Sequence, residues 1–368
     1  VLNLLSALAE EGVDVALIIE KAKDEPHFAQ PNITVNVLKT SGVFRYLELF
    51  NKLREYHQNG YKCTYIRITS LTTIIANIAA RLEGASTYFW QSGTTHEWDW
   101  QQPFGLKKLG WFLKSYIPSY IARKLTTYFV TGPEPMIDYY DNVVGVNRKK
   151  IRLLYNDIDL KRFAFSDFQK SDAKSKFLAD HGLSENKTIL LVVHRLSPVR
   201  RTTLYFPGCL KSLSEAGKAS NILTVVAGGG AELPEIKSIF DSLSINKSSC
   251  IFLGEVPNSE IQYLYQVADI FLHPTYNEGF PRVMLEAMAS GLPVVSTNAG
   301  GSEFLVGPLQ KKMISDKNDP IAFSNNLIAL LENDELKKSI SSENLHWVKR
   351  FSTESIVKMY KQVIFNDN

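Results

Sequence analysis

Short apolar runs rich in β-branched residues alternate with stretches of helical period along most of this chain. "VDVALII" (13–19), "KCTYIRI" (62–68), "STYFWQ" (86–91), "TTYFV" (126–130) and "IRLLY" (151–155) read as strands. "VFRYLELFNKLREYH" (43–57) and "LTTIIANIAARL" (71–82) read as helices between them. The polar stretch "AFSDFQKSDAKSK" (164–176) interrupts the series and reads as a linker. Alternation then resumes with "TILLVV" (188–193), "NILTVVA" (221–227), "CIFLG" (250–254), "DIFLH" (269–273) and "PVVS" (293–296). From about Asp334 onward the pattern is helical, with no strand after it.

Strand–helix alternation implies parallel sheets with helices on both faces. The expected fold is therefore α/β, with two doubly wound Rossmann-like domains facing a cleft. The first domain is expected over 1–162 and the second over 163–350, with a C-terminal helix at 351–368 crossing back to the first. The chain begins at Val1, directly in a helical pattern, so the first strand of the first domain is expected to lie upstream. Ligands of such folds sit outside the carboxyl ends of strands, so chemistry is sought in the loops after the second-half strands.

Composition narrows the picture only a little. The chain has 368 residues, 45% of them hydrophobic, which suits two ordinary globular domains. A net charge of +3 is too mild to argue for nucleic acid as a partner. Cys63, Cys209 and Cys250 are odd in number and widely spaced. They form neither a disulfide framework nor a zinc pattern, so a reducing, cytoplasmic setting is the default. No apolar run approaches the roughly 20 residues of a membrane-spanning helix.

Candidate chemistry concentrates in 273–303, "HPTYNEGFPRVMLEAMASGLPVVSTNAGGSE". Pro281 suits the first position of a helix that ends at Gly291. Free backbone N–H groups at such a helix start bind anions, phosphate above all. Glu286 stands four residues after Arg282 on one face and leans toward the helix start. Glu278 stands in the loop just before it. An elongated ligand is then held by a phosphate at the helix tip and by hydroxyls at each carboxylate. The competing reading is that Glu286 pairs with a buried arginine and Glu278 only favours the helix dipole. The spacing alone leaves both open.

This segment resembles the donor-site segment of GT-B glycosyltransferases of family four, the large retaining group also called glycosyl transferases group 1. The resemblance runs through Glu278, Gly279, Phe280, Leu285, Glu286, Ala287, Met288, Ala289, Gly291, Pro293, Val294 and Val295. It implies the GT-B arrangement, with 1–162 on the acceptor side and 163–350 binding a nucleotide-sugar donor. Glu286 would hold the ribose hydroxyls and Glu278 would contact the donor sugar, with Gly279, Phe280 and Arg282 lining the site. Pro281 stands where many members have Gly, and "GGSE" (300–303) is one residue shorter than the usual G-G-x-x-E, which makes Glu303 the weaker match.

"VVHRLSPVRR" (192–201) resembles the family's G-R-L-x-x-x-K-G. Arg195 falls on its arginine and Arg200 on its lysine, while His194 and Arg201 stand in place of its two glycines. Arg195 and Arg200 would balance the diphosphate charge, so no metal and no cofactor is expected, and Arg201 would stand in for Arg200. The turn "VVAGGGAELPEI" (225–236) supplies Gly229, and the backbone near Val256 would face the base. The triple glycine lacks the spacing of a dinucleotide fingerprint. "YNDIDLKRF" (155–163) resembles the hinge signature, with Asp157 where Gly is usual, so the Asp157-x-Asp159 pair is not read as a metal grip, and Asn156 and Asp159 are expected to fix a turn through side-chain to backbone hydrogen bonds.

In the first half, Gln91 at a strand end and His96 five residues on are candidate contacts for the donor sugar. "PFGLKKLGWFLKSYIPSYIARKL" (103–125) sets Lys107, Lys108, Lys114, Arg123 and Lys124 among Trp111, Phe112, Tyr116 and Tyr120. That mixture suits an anionic membrane surface, with Pro118 expected to break any single helix. The implied activity is a retaining, metal-independent hexosyl transfer from a nucleotide diphosphate sugar to a glycan or lipid-linked acceptor. A nucleotide-sugar epimerase or hydrolase, or a non-catalytic binder, is the alternative.

Overall fold

The computed structural model describes residues 2–22, 24–67, 71–93, 105–242 and 250–365. His96 lies outside the described residues, as do residues 103 and 104. The described strands are β1 (Val15–Ile19), β2 (Ile33–Val37), β3 (Cys63–Ile66), β4 (Ser86–Trp90), β5 (Tyr128–Thr131) and β6 (Ile151–Leu153) in the first half. The second half has β7 (Thr188–Val193), β8 (Ile222–Ala227), β9 (Cys250–Gly254), β10 (Ile270–His273), β11 (Val294–Thr297) and β12 (Ile314–Ser315). Every described pairing between them is parallel.

The chain divides into two compact units. One comprises residues up to Ser92, those through Asp157, and Thr353 to the end. Its sheets are β1-β2 and β3-β4-β5-β6. Its core joins Leu49 and Leu53 of the helix Gly42–Gln58, Ala76 and Ala79 of the helix Leu71–Leu82, and Phe89 and Phe129 of the sheet. The helix Thr353–Phe365 belongs to this unit and buries Ile356, Val357, Tyr360 and Ile364. Within it the Tyr360 and Tyr65 hydroxyls meet at 3.0 Å, and Tyr88 donates to the Ile364 carbonyl at 3.2 Å.

The other unit comprises Ile158–Ser352, with which Gly93 clusters. Its six strands run β12-β11-β10-β7-β8-β9. Renumbered within the unit this is 6-5-4-1-2-3, the doubly wound order whose connections part between the first and fourth strands. Those strands are β7 and β10, paired through Leu190–Ile270, Leu191–Phe271 and Val192–Leu272. Strands covered on both faces bury every side chain, and β8 and β10 are buried throughout.

Two expectations are corrected here, and one strand was unforeseen. The stretch read as a linker is mostly the helix Asp167–Asp180, started by a reciprocal capping box between Ser166 and Gln169. It buries only Ala173, Phe177 and Leu178, too thin a stripe to stand out among its lysines and serines. Pro118 does not break the run at 106–125. The helix Leu106–Trp111 passes through a wide π turn, Phe112–Tyr116, into the helix Ile117–Leu125. That widening, one turn ahead of the proline, accommodates its missing N–H and its ring. The strand "ITVNV" (33–37) was not anticipated, because Asn36 breaks its apolar run.

Candidate functional site

The site is assembled where β7 and β10 end side by side. After β7 the backbone continues through His194, whose N–H donates to the Ala227 carbonyl at 3.2 Å. It then closes a turn from Ser197 to Arg200. Arg201 sits in the left-handed region at φ 50°, where an L side chain is strained. The family places glycine there, and here an arginine bears the strain. After β10 the chain leaves as the loop 274–281, and the helix Arg282–Ala289 follows. The Tyr276 N–H donates to the Arg200 carbonyl at 2.6 Å and stitches the two loops together.

Arg200 and Glu278 meet across that stitch. The Arg200 Nη1 donates to the Glu278 Oε2 and, at 3.1 Å, to the Asn277 carbonyl. Both side chains are largely shielded, 22% and 14% exposed. Glu278 Oε1 accepts from the Gly279 N–H at 3.0 Å. Gly300, at φ 63°, lies against this loop, and a Cβ there would collide with the Glu278 carbonyl. Burial, aided by the Arg195 charge, pushes Arg200 down to about 10. Arg195 is exposed and makes no hydrogen bond among the described residues. Two guanidinium groups that repel each other, one already spent on a carboxylate, form a place where an anion gains.

Arg201 turns elsewhere. Its guanidinium lies over the Tyr276 ring, 4.0 Å from the centroid. On the other side of the turn, Gly228 at φ 139° lets its backbone approach the His194 carbonyl, where a Cβ would collide. The Gly229 carbonyl accepts from the Leu196 N–H at 2.9 Å, and Gly229 packs beside the Glu255 side chain. Val256, next along from that exposed glutamate, is half-buried.

Glu286 is placed differently from Glu278. Its Oε2 accepts from the Tyr265 hydroxyl at 2.8 Å, and burial pushes its carboxyl above the ordinary range. The Tyr265 bond and the Arg282 and Arg162 charges oppose that shift without cancelling it. The competing reading, a buried arginine as its direct partner, is not met; the Tyr265 phenol fills that position. Arg282 opens the helix and is half-buried, while Pro281 is the flanking residue rather than the first helical one. Phe280 is buried, its ring edge-on to Phe351 at 6.2 Å.

Two histidines complete the constellation, and one of them no sequence signal had singled out. His273 ends β10, fully buried, with Nδ1 at 3.2 Å from Ser296 Oγ and Nε2 at 3.6 Å from Glu278 Oε2. His194 faces it at 5.8 Å between ring centroids and places Nε2 3.0 Å from Thr202 Oγ1. Burial, with Arg200 adding to it, pushes His194 down to about 3, and holds His273 well below its usual range. A histidine at the end of an apolar strand was the only available hint. Tyr265 left none.

Other candidates have settled roles. Asp159 caps the turn Leu160–Phe163 by accepting from the Lys161 and Arg162 N–H groups. Asp157 accepts from the Thr353 hydroxyl at 3.1 Å. Asn156 departs from the expected turn role, since its Oδ1 accepts from Arg67 at 2.9 Å. Glu303 is engaged by Asn298 at 2.9 Å and by Lys311 at 2.8 Å. Gln91 donates its backbone N–H to Val130 at 2.9 Å and keeps a buried side-chain oxygen without a hydrogen bond.

Residues 173–347 match the family described as glycosyl transferases group 1. An Escherichia coli UDP-Gal:alpha-D-GlcNAc-diphosphoundecaprenol alpha-1,3-galactosyltransferase is 29% identical over 202 residues, 54% of this chain and 49% of that protein. A D-inositol 3-phosphate glycosyltransferase of Corynebacterium glutamicum is 26% identical over 195 residues, 51% of this chain and 46% of that protein. The chain thus spans about half the length of these curated relatives. Among solved structures, Anabaena HepE in complex with UDP and glucose superposes with a TM-score of 0.73 at 16% identity, covering 99% of this chain and 95% of that one. Sucrose-phosphate synthase from Thermosynechococcus elongatus gives 0.78 at 17% identity, covering 99% and 92%. The fold is the GT-B α/β fold of these structures.

Proposed function

We propose that this chain, whose residues 173–347 match the glycosyl transferases group 1 family, is a retaining glycosyltransferase moving a hexose from a nucleotide diphosphate sugar to a glycan or lipid-linked acceptor. The observation that carries this is the meeting of Arg200, Arg195 and Glu278 at the point where the connections of a doubly wound sheet diverge. A nucleoside diphosphate brings about two negative charges, and this place supplies two cationic groups with a carboxylate beside them. In the resting site Arg200 is satisfied by Glu278. A donor draws the guanidinium toward its phosphates and frees the carboxylate for sugar hydroxyls. Glu286, held by a single phenol, has its other oxygen for ribose hydroxyls.

No side chain here stands as a nucleophile. The protein's contribution is electrostatic, with Arg195 and Arg200 stabilising the departing diphosphate while Glu278 orients the sugar. Charge balance by guanidinium groups makes the reaction metal-independent. The test is transfer from a panel of nucleotide sugars to lipid-linked and free glycan acceptors, with excess chelator and with the anomeric configuration of the product determined. Inversion, or loss of turnover on chelation, would overturn the respective part. Release of free sugar regardless of acceptor would favour the hydrolase alternative.

The lipid-linked class is favoured by the helical run 106–125. Leu106, Leu109, Leu113 and Tyr120 are exposed on it, while Lys114 and Lys124 are exposed alongside. Trp111, Phe112 and Tyr116, expected at a lipid surface, are half-buried and stack among themselves, so leucines take that part. No described helix is long and apolar enough to cross a membrane. Co-sedimentation with anionic but not neutral vesicles, weakened by replacing Leu109 and Leu113 with Ser, is the expected outcome.

A further inference from the structure

We propose that His273 is a positioning residue that takes over Glu278 when a diphosphate draws Arg200 away, accepting one proton as it does so. This rests on the donor-site reading above and adds to it a proton and a residue.

The reasoning starts from the resting ion pair. Arg200 and Glu278 neutralise each other in a setting where the carboxylate is only 14% exposed. A ligand that takes Arg200 leaves that carboxylate shielded and uncompensated, which is costly. His273 is close enough to answer. Its Nε2 lies 3.6 Å from Glu278 Oε2, is buried, and has no hydrogen bond of its own.

The ring's other side allows the tautomer in which Nε2 carries no hydrogen. Nδ1 faces Ser296 Oγ at 3.2 Å, and that hydroxyl is within reach of the Thr297 carbonyl at 3.2 Å. A hydroxyl donating to a carbonyl keeps a lone pair, which accepts an Nδ1–H. The neutral ring then presents a bare Nε2 lone pair toward a carboxylate oxygen. Two acceptors face each other, and a proton between them converts the clash into a charge-assisted hydrogen bond.

The surrounding charges set when that proton arrives. Facing His273 are Glu278 from its own loop, Arg200 from the turn after β7, with Arg195 beyond it, and His194 at the end of β7. Glu232 stands behind Thr202, the hydrogen-bond partner of His194. Ser296 of β11 is neutral. In the resting site burial, His194 and Arg200 keep His273 uncharged. A diphosphate offsets the Arg200 charge, and the carboxylate it releases is a new anion beside Nε2. The proton comes from solvent and binds the Nε2 lone pair; no bond in the chain breaks. Charge balances as Arg200 with phosphate and protonated His273 with Glu278.

The test is calorimetric titration of the full chain with UDP, GDP, ADP and pyrophosphate, in two buffers of different ionisation enthalpy. The native chain should show a buffer-dependent heat equal to uptake of as much as one proton, with affinity weakening by up to about tenfold per pH unit as pH rises. His273→Gln keeps an N–H that points at Glu278 but has nothing to titrate. It should bind with only the buffer dependence that the ligand's own phosphate gives, whereas His194→Gln should keep the native proton count. Equal counts in native and His273→Gln proteins would overturn the proposal, as would loss of uptake in His194→Gln alone. Should His273→Gln melt too low to titrate, Glu278→Gln serves with both histidines intact, and uptake persisting there overturns the proposal equally. Binding without proton uptake sinks this inference alone; no binding of any probe sinks the donor reading with it.

Discussion

At the carboxyl edge of the six-stranded sheet, the polar side chains are ionisable and lie against one another. Arg200 holds Glu278, Arg195 presses on Arg200, and His194 faces His273. At the same edge of the four-stranded sheet the polar groups meet neutral partners. Arg67 stacks over Trp90 at 4.3 Å and donates to Asn156. Glu134 accepts from the Tyr155 hydroxyl, and Thr131, Gln91 and the Trp90 ring each keep a buried polar atom without a hydrogen bond. Both sheets are parallel, but their strand orders differ, β3-β4-β5-β6 against β12-β11-β10-β7-β8-β9, and so do the side chains at their edges. Paired opposite charges suit a charged ligand that can displace one member, whereas dipoles suit an uncharged, hydroxyl-rich one.

The largest expected effect tests the charged edge. Arg200→Gln should lower kcat/KM by about 100- to 1,000-fold, the usual cost of removing one donor that stabilises developing charge. Arg67→Gln, made at the other edge, should cost no more than about tenfold, since that guanidinium is engaged by Asn156 and the Trp90 ring, both neutral. Comparable losses would break the contrast. Arg201→Gln should stay near native rates, because that guanidinium rests on Tyr276.

A second expectation separates binding from folding. Burial raises the Glu286 carboxyl above its ordinary value, so its ionised form is the disfavoured one in the folded chain. The sign follows: the group contributes most to stability below its unfolded value and loses that contribution as pH rises through the raised folded value. At neutral pH Glu286→Gln should therefore be at least as stable as native, with Tyr265 still able to donate to the amide oxygen. Donor affinity should nevertheless fall about 10- to 100-fold, as hydrogen bonds to a charged acceptor are lost. A drop in Tm together with unchanged affinity would reverse both halves.

These residues also show how far the sequence could be read. Glu278, Glu286, the Pro281 entry and the Gly291 exit fall within one loop and one short helix, and local spacing constrains such features. Their partners are remote in sequence. Arg200 reaches Glu278 from 78 residues away, and Tyr265 reaches Glu286 from 21. A match to the family pattern identifies Arg200 as a phosphate cation, but it says nothing of the carboxylate on which that cation rests. His273 was invisible for the same reason, since an apolar strand that ends in histidine says nothing of what lies opposite. The misread helix at 167–180 and the uninterrupted run across Pro118 failed locally instead. One shows too few apolar positions, and the other absorbs its proline in a π turn that no propensity encodes.

The smallest expected effect is the most discriminating at the neutral edge. Thr131 ends β5 with its hydroxyl fully buried and unbonded, while its carbonyl accepts from the Leu154 N–H at 3.0 Å. Removing an unsatisfied hydroxyl while keeping the shape relieves desolvation, so Thr131→Val should be neutral or stabilising by about 1 kcal/mol. If the hydroxyl merely endures burial, transfer rates follow stability and do not change. If it waits for a ligand hydroxyl, KM for the acceptor rises by about tenfold while donor affinity and Tm hold. The uncharged edge would then owe its unspent polar atoms to the acceptor, as the charged edge owes its paired ones to the donor. A Thr131→Val chain that loses both stability and donor affinity would show that the two edges are not divided in this way.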